Sequence, residues 1–270
     1  MWKGSLDLSY TYQPNRTRLD RSYVTAPLKV QRPFYPEGEE ICHTVILHTA
    51  GGVVGGDILD QKIHLQPDSH ALITTASASK LYRSNGPTAK QNIEVKIDTG
   101  GSLEWLPQET IVFDGACYRQ EMTVDLATDA SWSGWEIVRF GRSARGERFL
   151  SGEWRSNIEI RREGKPVWID RSFLTGGEMI EGYSGLNDKA IVGTFVYIGR
   201  SVPDAIIDKI RDFSPIEESG VTRILGEGIL CRYRGNSTPE VREWFIKIWH
   251  LLRGEMRGRR SIVPRVWLSW

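Results

Sequence analysis

Four acids stand where a carboxylate could do chemistry: Asp57, Glu104, Glu109 and Glu136. Asp57 ends a glycine-rich segment, His48–Asp57 (HTAGGVVGGD), in which Gly51-Gly52 and Gly55-Gly56 flank Val53-Val54. Paired glycines permit a sharp turn or a close approach by other backbone. A phosphate cradle would need a helix after the glycines and a Gly-Lys-Ser/Thr sequence, and neither is present. A β-rich run precedes the segment and an alternating one follows, so it joins two strands. Asp57 is then either the cap of a tight crossover or a functional carboxylate held by an unusual backbone. Glu104 and Glu109 flank Pro107 in LEWLPQETIVF, Leu103–Phe113. Glu136 opens EIVRF, where strand alternation puts it on one face with Val138 and Phe140, and Trp135, Ile137 and Arg139 on the other. A carboxylate beside Val and Phe is a candidate inward-facing acid; an edge position open to water is the alternative.

Other chemistries find little support. There is no Gly-x-Ser-x-Gly, no HExxH and no defensible Cys/His nucleophile pair. The histidines are His43, His48, His64, His70 and His250, and the cysteines are Cys42, Cys117 and Cys231, with no CxxC. Cys42 and His48 would share a strand face but lie roughly 20 Å apart, too far for one metal ion. His64 and His70 flank a turn and meet only if the loop register brings them to one face. An odd, scattered set of cysteines points to reduced thiols of a cytosolic protein, not a disulfide framework. Isolated carboxylates without soft partners bind borderline metals weakly and exchangeably, which suits transit better than storage.

The elements that must hold these acids are mostly strands. Leu6, Leu8, Tyr10 and Tyr12 keep period two, and residues 40–48, 57–65, 71–75, 90–97, 118–126, 132–140, 153–161, 166–173 and 190–198 follow with strand character. Gln66–Ser69 is a turn, read here as closing a hairpin between 57–65 and 71–75. Further hairpins are expected around Gly164 and around Gly226–Gly228. Two stretches read as helices. Val202–Phe213 carries Ile206, Ile207 and Ile210 on one face, and Pro239–Arg253, with Thr238 as N-cap, carries a broad stripe including Trp244, Phe245 and Ile248. A tail holding Trp267 and Trp270 is expected to dock on the body or on a partner. The count comes to roughly seventeen or eighteen short strands and two helices, a mainly β protein. With no clean linker, residues 1–270 read as a single domain. No fixed-period repeat separates sandwich, barrel and solenoid.

The bulk numbers narrow the partners. With 35 Lys plus Arg against 34 Asp plus Glu in 270 residues, no basic stripe marks a nucleic-acid binder. No run reaches about 20 apolar residues, so no membrane span is expected. The N-terminus lacks the apolar core of a signal peptide. Ten tryptophans suit a binding surface without proving one.

Four stretches in order, GGVVGGD (Gly51–Asp57), KLYRS (Lys80–Ser84), LEWLPQETIVF (Leu103–Phe113) and EIVRFGRSARGE (Glu136–Glu147), together resemble the urease accessory protein family known as UreD or UreH. The resemblance runs from about Arg18 to Arg234; Val53 stands where the family commonly has Leu. It implies a β-helix-like, solenoid-type sheet structure with two helices toward the C-terminal half, a cytoplasmic location and no catalysis. It further implies a metallochaperone scaffold for nickel insertion into apo-urease. The implied partners are a helical UreF-type accessory protein, a UreG-type GTPase and apo-urease, with two copies per complex joined through the UreF-type partner. No cofactor is expected to bind tightly; nickel passes in transit along an internal acid-lined path. By motif, Asp57, Glu136 and Glu109 are the path acids, while Lys80, Tyr82 and Arg83 order neighbouring strands. Two other readings stand beside this one: a carbohydrate-active β-solenoid enzyme with Glu104 and Glu109 as paired carboxylates, and a docking module with no metal role.

Overall fold

A computed structural model describes residues 1–267 apart from Ser184, Glu217 and Leu225. The chain opens with β1 (Lys3–Gln13), β2 (Arg16–Thr25) and β3 (Leu28–Val30). It continues through β4 (Ile41–His48), β5 (Ile58–Leu65), β6 (His70–Thr75), β7 (Ser79–Leu81), β8 (Ala89–Ile97), β9 (Ser102–Trp105), β10 (Thr110–Val112), β11 (Cys117–Leu126), β12 (Ser131–Phe140) and β13 (Glu153–Arg162). β14 (Lys165–Thr175), α1 (Glu178–Glu181), β15 (Ile191–Ile198), α2 (Asp204–Asp212), β16 (Glu218–Ile224), β17 (Gly228–Gly235) and α3 (Thr238–Arg257) complete it. The mainly β expectation holds, and both expected helices are present as α2 and α3, with the short α1 in addition.

The strands build two sheets, ordered β14-β13-β11-β8-β5-β1-β2 and β16-β17-β15-β12-β9-β6-β4-β3. From β5 to β13 the chain visits them alternately, leaving aside the short β7 and β10. Neighbours within each run of the coil are parallel: β1, β5, β8, β11 and β13 in the first sheet, β4, β6, β9 and β12 in the second. Each turn of the coil thus lays one strand on each sheet, the solenoid-like architecture expected. Antiparallel strands close the ends, β2 and β14 on the first sheet and β3 and β15 on the second.

This topology corrects one expectation. Gln66–Ser69 does not close a hairpin: β5 and β6 lie in different sheets. The turn is a corner of the coil, and its polar backbone is satisfied by the next corner, not by a partner strand. Asp68 N donates to Thr99 O (2.9 Å), Ser102 N to Ser69 O (2.9 Å) and Ser131 N to Gly101 O (3.0 Å). The hairpins around Gly164 (β13–β14) and before Gly228 (β16–β17) form as expected.

The second sheet is buried on both faces. Its inner residues, among them Ile46, Ile73, Leu103, Trp132 and Val138, pack against Leu59, Ile93, Met122 and Ile158 of the first sheet. Its outer residues, among them Leu72, Trp135, Ile137 and Phe195, pack under α2 and α3. Trp267 joins that outer layer: its ring lies 5.1 Å from Trp135 and its Nε1 donates to Thr74 Oγ1 (2.9 Å). The tail therefore docks on the body, as far as Trp267; Trp270 lies outside the described residues. α3 is capped by Ser237, whose Oγ accepts from Glu240 N (3.2 Å), and not by Thr238. Thr238 is instead buried, where its hydroxyl accepts from Arg139 Nε (3.1 Å). The helix also runs past Arg253, to a left-handed Gly258.

One ionic cluster ties α3 to the sheet. Arg253 is 3% exposed and binds both Glu104 of β9 and Glu37, each no more than 4% exposed. Trp249 Nε1 adds a bond to Glu104 (3.0 Å), and Glu37 reaches His43 Nε2 (2.6 Å). Burial by itself raises the Glu104 carboxyl; the adjoining Arg253 guanidinium outweighs it and holds the acid below its ordinary range. Removing one partner of such a cluster leaves buried charge uncompensated. Arg253→Ala is expected to destabilise the chain by about 3–5 kcal/mol in urea unfolding, and Arg253→Met with Glu104→Leu to cost less.

Candidate functional site

The alternation of the inner faces is mostly apolar, and its polar residues gather around one row. On the first sheet Gln91 and Gln120 stand opposite each other in register, followed by Ser156 on β13. Facing them, β12 presents Glu136, flanked in register by Thr194 of β15. A row of polar side chains cannot interdigitate as an apolar core does, and a cavity of about 200 Å³ lies here. It runs from Ile46, His48 and the Gly51–Val53 loop, past Gln61, Gln91 and Gln120, to Glu136 and Thr194. Glu136 and Thr194 also line a second cavity of about 760 Å³, which reaches Arg171, Glu218 and Arg232. Glu136 is thus in the common wall of two spaces that lie toward opposite ends of the coil.

Among the described residues, the carboxylate of Glu136 is hydrogen-bonded by neutral donors, with the charge of Arg232 acting on it from farther away. Gln120 Nε2 donates at 2.8 Å and Ser156 Oγ at 3.1 Å, both to Oε1, and Gln120 also reaches Ser156 (3.0 Å). Tyr118, buried beside it, donates to Gln91 (2.8 Å). Desolvation raises the Glu136 carboxyl; the Ser156 bond opposes it, Asp170 adds to it, and the group rises to about 7. It is therefore poised between proton and charge near neutrality, and the charged form invites a cation. A cation beside it would meet one carboxylate and neutral amide and hydroxyl oxygens. Among the described residues no three His, Cys, Asp or Glu side chains converge on a metal-binding point.

The other expected path acids sit elsewhere. Asp57 is fully buried, but its oxygens accept from two backbone amides, Trp2 N (2.6 Å) and Val54 N (3.0 Å). It pins the glycine loop and the N-terminus, and it is not among the cavity-lining residues. Glu109 forms an ion pair with Arg242 of α3. Glu104 is taken up by Arg253, so the two acids considered as a catalytic pair are each bound by a different arginine of one helix. Glu136 is the acid that the inward-facing pattern identified correctly: Val138 and Phe140 share its inner face, Trp135 and Ile137 the outer.

Sequence reasoning missed the neutral lining, Gln61, Gln91, Gln120 and His48, and the Ser156 hydroxyl bonded to Glu136. The signal was present as glutamines on the apolar phase of alternating strands, Gln91 before Ile93 and Val95, and Gln120 before Met122 and Val124. His48 falls on the same phase of β4 as Cys42 and Ile46, which belong to the inner core. Desolvation lowers its imidazole, against the opposing charge of Asp57.

The model of the UreD urease accessory protein family matches residues 3–268. A urease accessory protein UreD from Microcystis aeruginosa is 64% identical over 270 residues, all of both chains. Proteins of the same name from Nostoc sp. and Synechocystis sp. are 57% and 42% identical, covering 98% and 92% of this chain and 96% and 93% of theirs. The chain belongs to the UreD urease accessory protein family. The stretches that carry the family resemblance stack on successive coils. Val53 and Leu81 form a parallel bridge, Val53 N donating to Lys80 O and Tyr82 N to Val53 O (both 2.8 Å). The glycines permit this approach: a Cβ on Gly52 would strike the Tyr82 ring and lie 2.7 Å from Lys80 O, and one on Gly55 would strike Ser84 and lie 2.6 Å from Pro87 O. β7 then pairs β10, and β10 pairs β12, the strand of Glu136. No helix among the described residues is long and apolar enough to cross a membrane.

Two expectations follow. Between pH 4.5, the ordinary value, and about 7 the native Glu136 retains a proton that the unfolded chain has released. Its contribution to stability therefore falls as pH rises through that window, by an amount on the order of 3 kcal/mol, and flattens above it. Glu136→Gln should remove this slope from urea midpoints measured between pH 5 and pH 8. Asp57→Ala, by removing the acceptor of the Trp2 and Val54 amides, should lower stability by about 1–3 kcal/mol in the same assay.

Proposed function

We propose that this chain is a non-catalytic scaffold for nickel insertion into apo-urease, in which the space between the sheets conducts the ion. It works with a helical UreF-type accessory protein and a UreG-type GTPase, in the cytoplasm, with two copies joined through the UreF-type partner. The observation that carries the reading is Glu136: a half-buried carboxylate with, among the described residues, no arginine or lysine bonded to it, in the wall shared by two cavities. A permanently neutralised acid has no affinity to offer a cation, whereas this one can exchange a proton for one. Its other contacts are neutral, the Gln120 amide nitrogen and the Ser156 hydroxyl, so an ion there would be held weakly, and weak ligands let an ion leave as well as arrive.

The remaining acids take graded parts in this reading. The charge of Asp57 acts on His48 at the glycine-loop end of the cavity, while its own oxygens hold the loop. Glu109 would have to release Arg242 before meeting the ion, so it contributes to the potential at most. The energy for directional delivery comes from the GTPase, since nothing in a passive conduit favours one direction.

The test is nickel transfer to apo-urease by the purified complex at limiting nickel. Glu136→Ala should slow loading roughly tenfold, in the range that loss of one supporting group costs a metal site. Co-purification with the UreF-type partner should be unchanged. Loading at the wild-type rate would leave a docking platform with no part in conduction.

A further inference from the structure

Three side chains that line the inter-sheet cavity have buried polar atoms that find, among the described residues, no hydrogen-bond partner beyond their own backbone: both ring nitrogens of His48, Oε1 of Gln61 and Nε1 of Trp132. Each unpaired buried polar group costs roughly 1–3 kcal/mol, so leaving several in one small space is expensive unless something in that space binds them. His48 ends β4 on the second sheet, and Gln61 lies on β5 of the first, 5% exposed. Both stand on the inward phase of their strands, so they address the cavity from opposite walls. The indole N–H of Trp132 can only donate, but an imidazole nitrogen and an amide oxygen are both electron-pair donors.

We propose that His48, with Gln61 opposite, is a nitrogen-oxygen way-station for a divalent cation at the glycine-loop end of the cavity. The proposal rests on the conduit reading above and assigns a ligand to the half of the cavity that lacks a free carboxylate. Imidazole is a preferred ligand for nickel among the side chains available, and an amide oxygen completes a set weak enough to release it. Asp57, spent on two backbone amides, lends charge without coordinating. The ion would pass from a nitrogen ligand at one end to the Glu136 carboxylate at the other. No bond other than coordination forms or breaks.

The experiment uses the full-length chain in complex with its UreF-type partner and titrates it with Ni²⁺. In ¹⁵N-histidine spectra, paramagnetic Ni²⁺ should broaden the His48 imidazole, a signal assigned by its loss in His48→Gln. Nickel transfer to apo-urease is measured alongside for His48→Gln and Glu136→Gln. The expected result is broadening of His48 and transfer slowed by roughly tenfold in both variants. If Glu136→Gln slows transfer but His48→Gln does not, and His48 stays sharp, the conduit stands and the way-station is overturned. If His48 broadens while neither variant slows transfer, the cation site stands and the conduit falls. A His48 that stays sharp in a complex that transfers nickel, with the cavity nitrogens served by water alone, overturns the proposal even should His48→Gln fail to fold, because that titration uses the wild-type chain.

Discussion

A carboxylate taken into a folded chain must be paired, protonated or hydrated, and this fold answers its acids in different ways. Glu104 and Glu37 share Arg253. Asp57 takes two backbone amides. Glu136 has neither, among the described residues: its bonded partners are an amide and a hydroxyl. Desolvation then lifts its proton affinity to the neutral range, and the same imbalance makes it receptive to a cation. The polar row that faces it keeps the inter-sheet space open where apolar side chains would have closed it.

The solenoid supplies the geometry for this arrangement. Because successive coils repeat the in-out phase of each strand, one substitution of Gln for an aliphatic residue becomes a row when it recurs at matching register. The helical layer performs a separate task. It covers the outer face of the second sheet and draws Glu104, Glu109 and Glu37 into ion pairs, so those acids are removed from the interior chemistry. The family motifs divide along the same line. The glycine segment and Lys80–Ser84 secure the contacts between coils, and EIVRF delivers the inner acid.

Much of this was legible in the chain itself. Period-two alternation located the strands, and at Glu136 it also gave the correct face, because a strand with Val138 and Phe140 on one side can bury only that phase inward. The two helices were visible from their apolar stripes. Sheet membership was not legible: Gln66–Ser69 has the residues of a tight turn whether the chain folds back or rounds a corner, and only the stacked neighbouring corners decide it. The buried ion pairs were hidden for a similar reason, since Arg253 and Glu104 are far apart in sequence and strand alternation does not say what covers the outer face. The glutamine row passed unnoticed because each Gln taken singly resembles a solvent-facing residue; its meaning lies in the register between coils.

The most direct test of the central claim is anomalous diffraction at the nickel edge from crystals of the chain with its UreF-type partner, soaked in Ni²⁺. The account predicts an anomalous peak between the sheets within bonding distance of Glu136, lost in Glu136→Gln crystals. Peaks confined to the outer surface, with the space around Glu136 free of metal at saturating nickel, would contradict it.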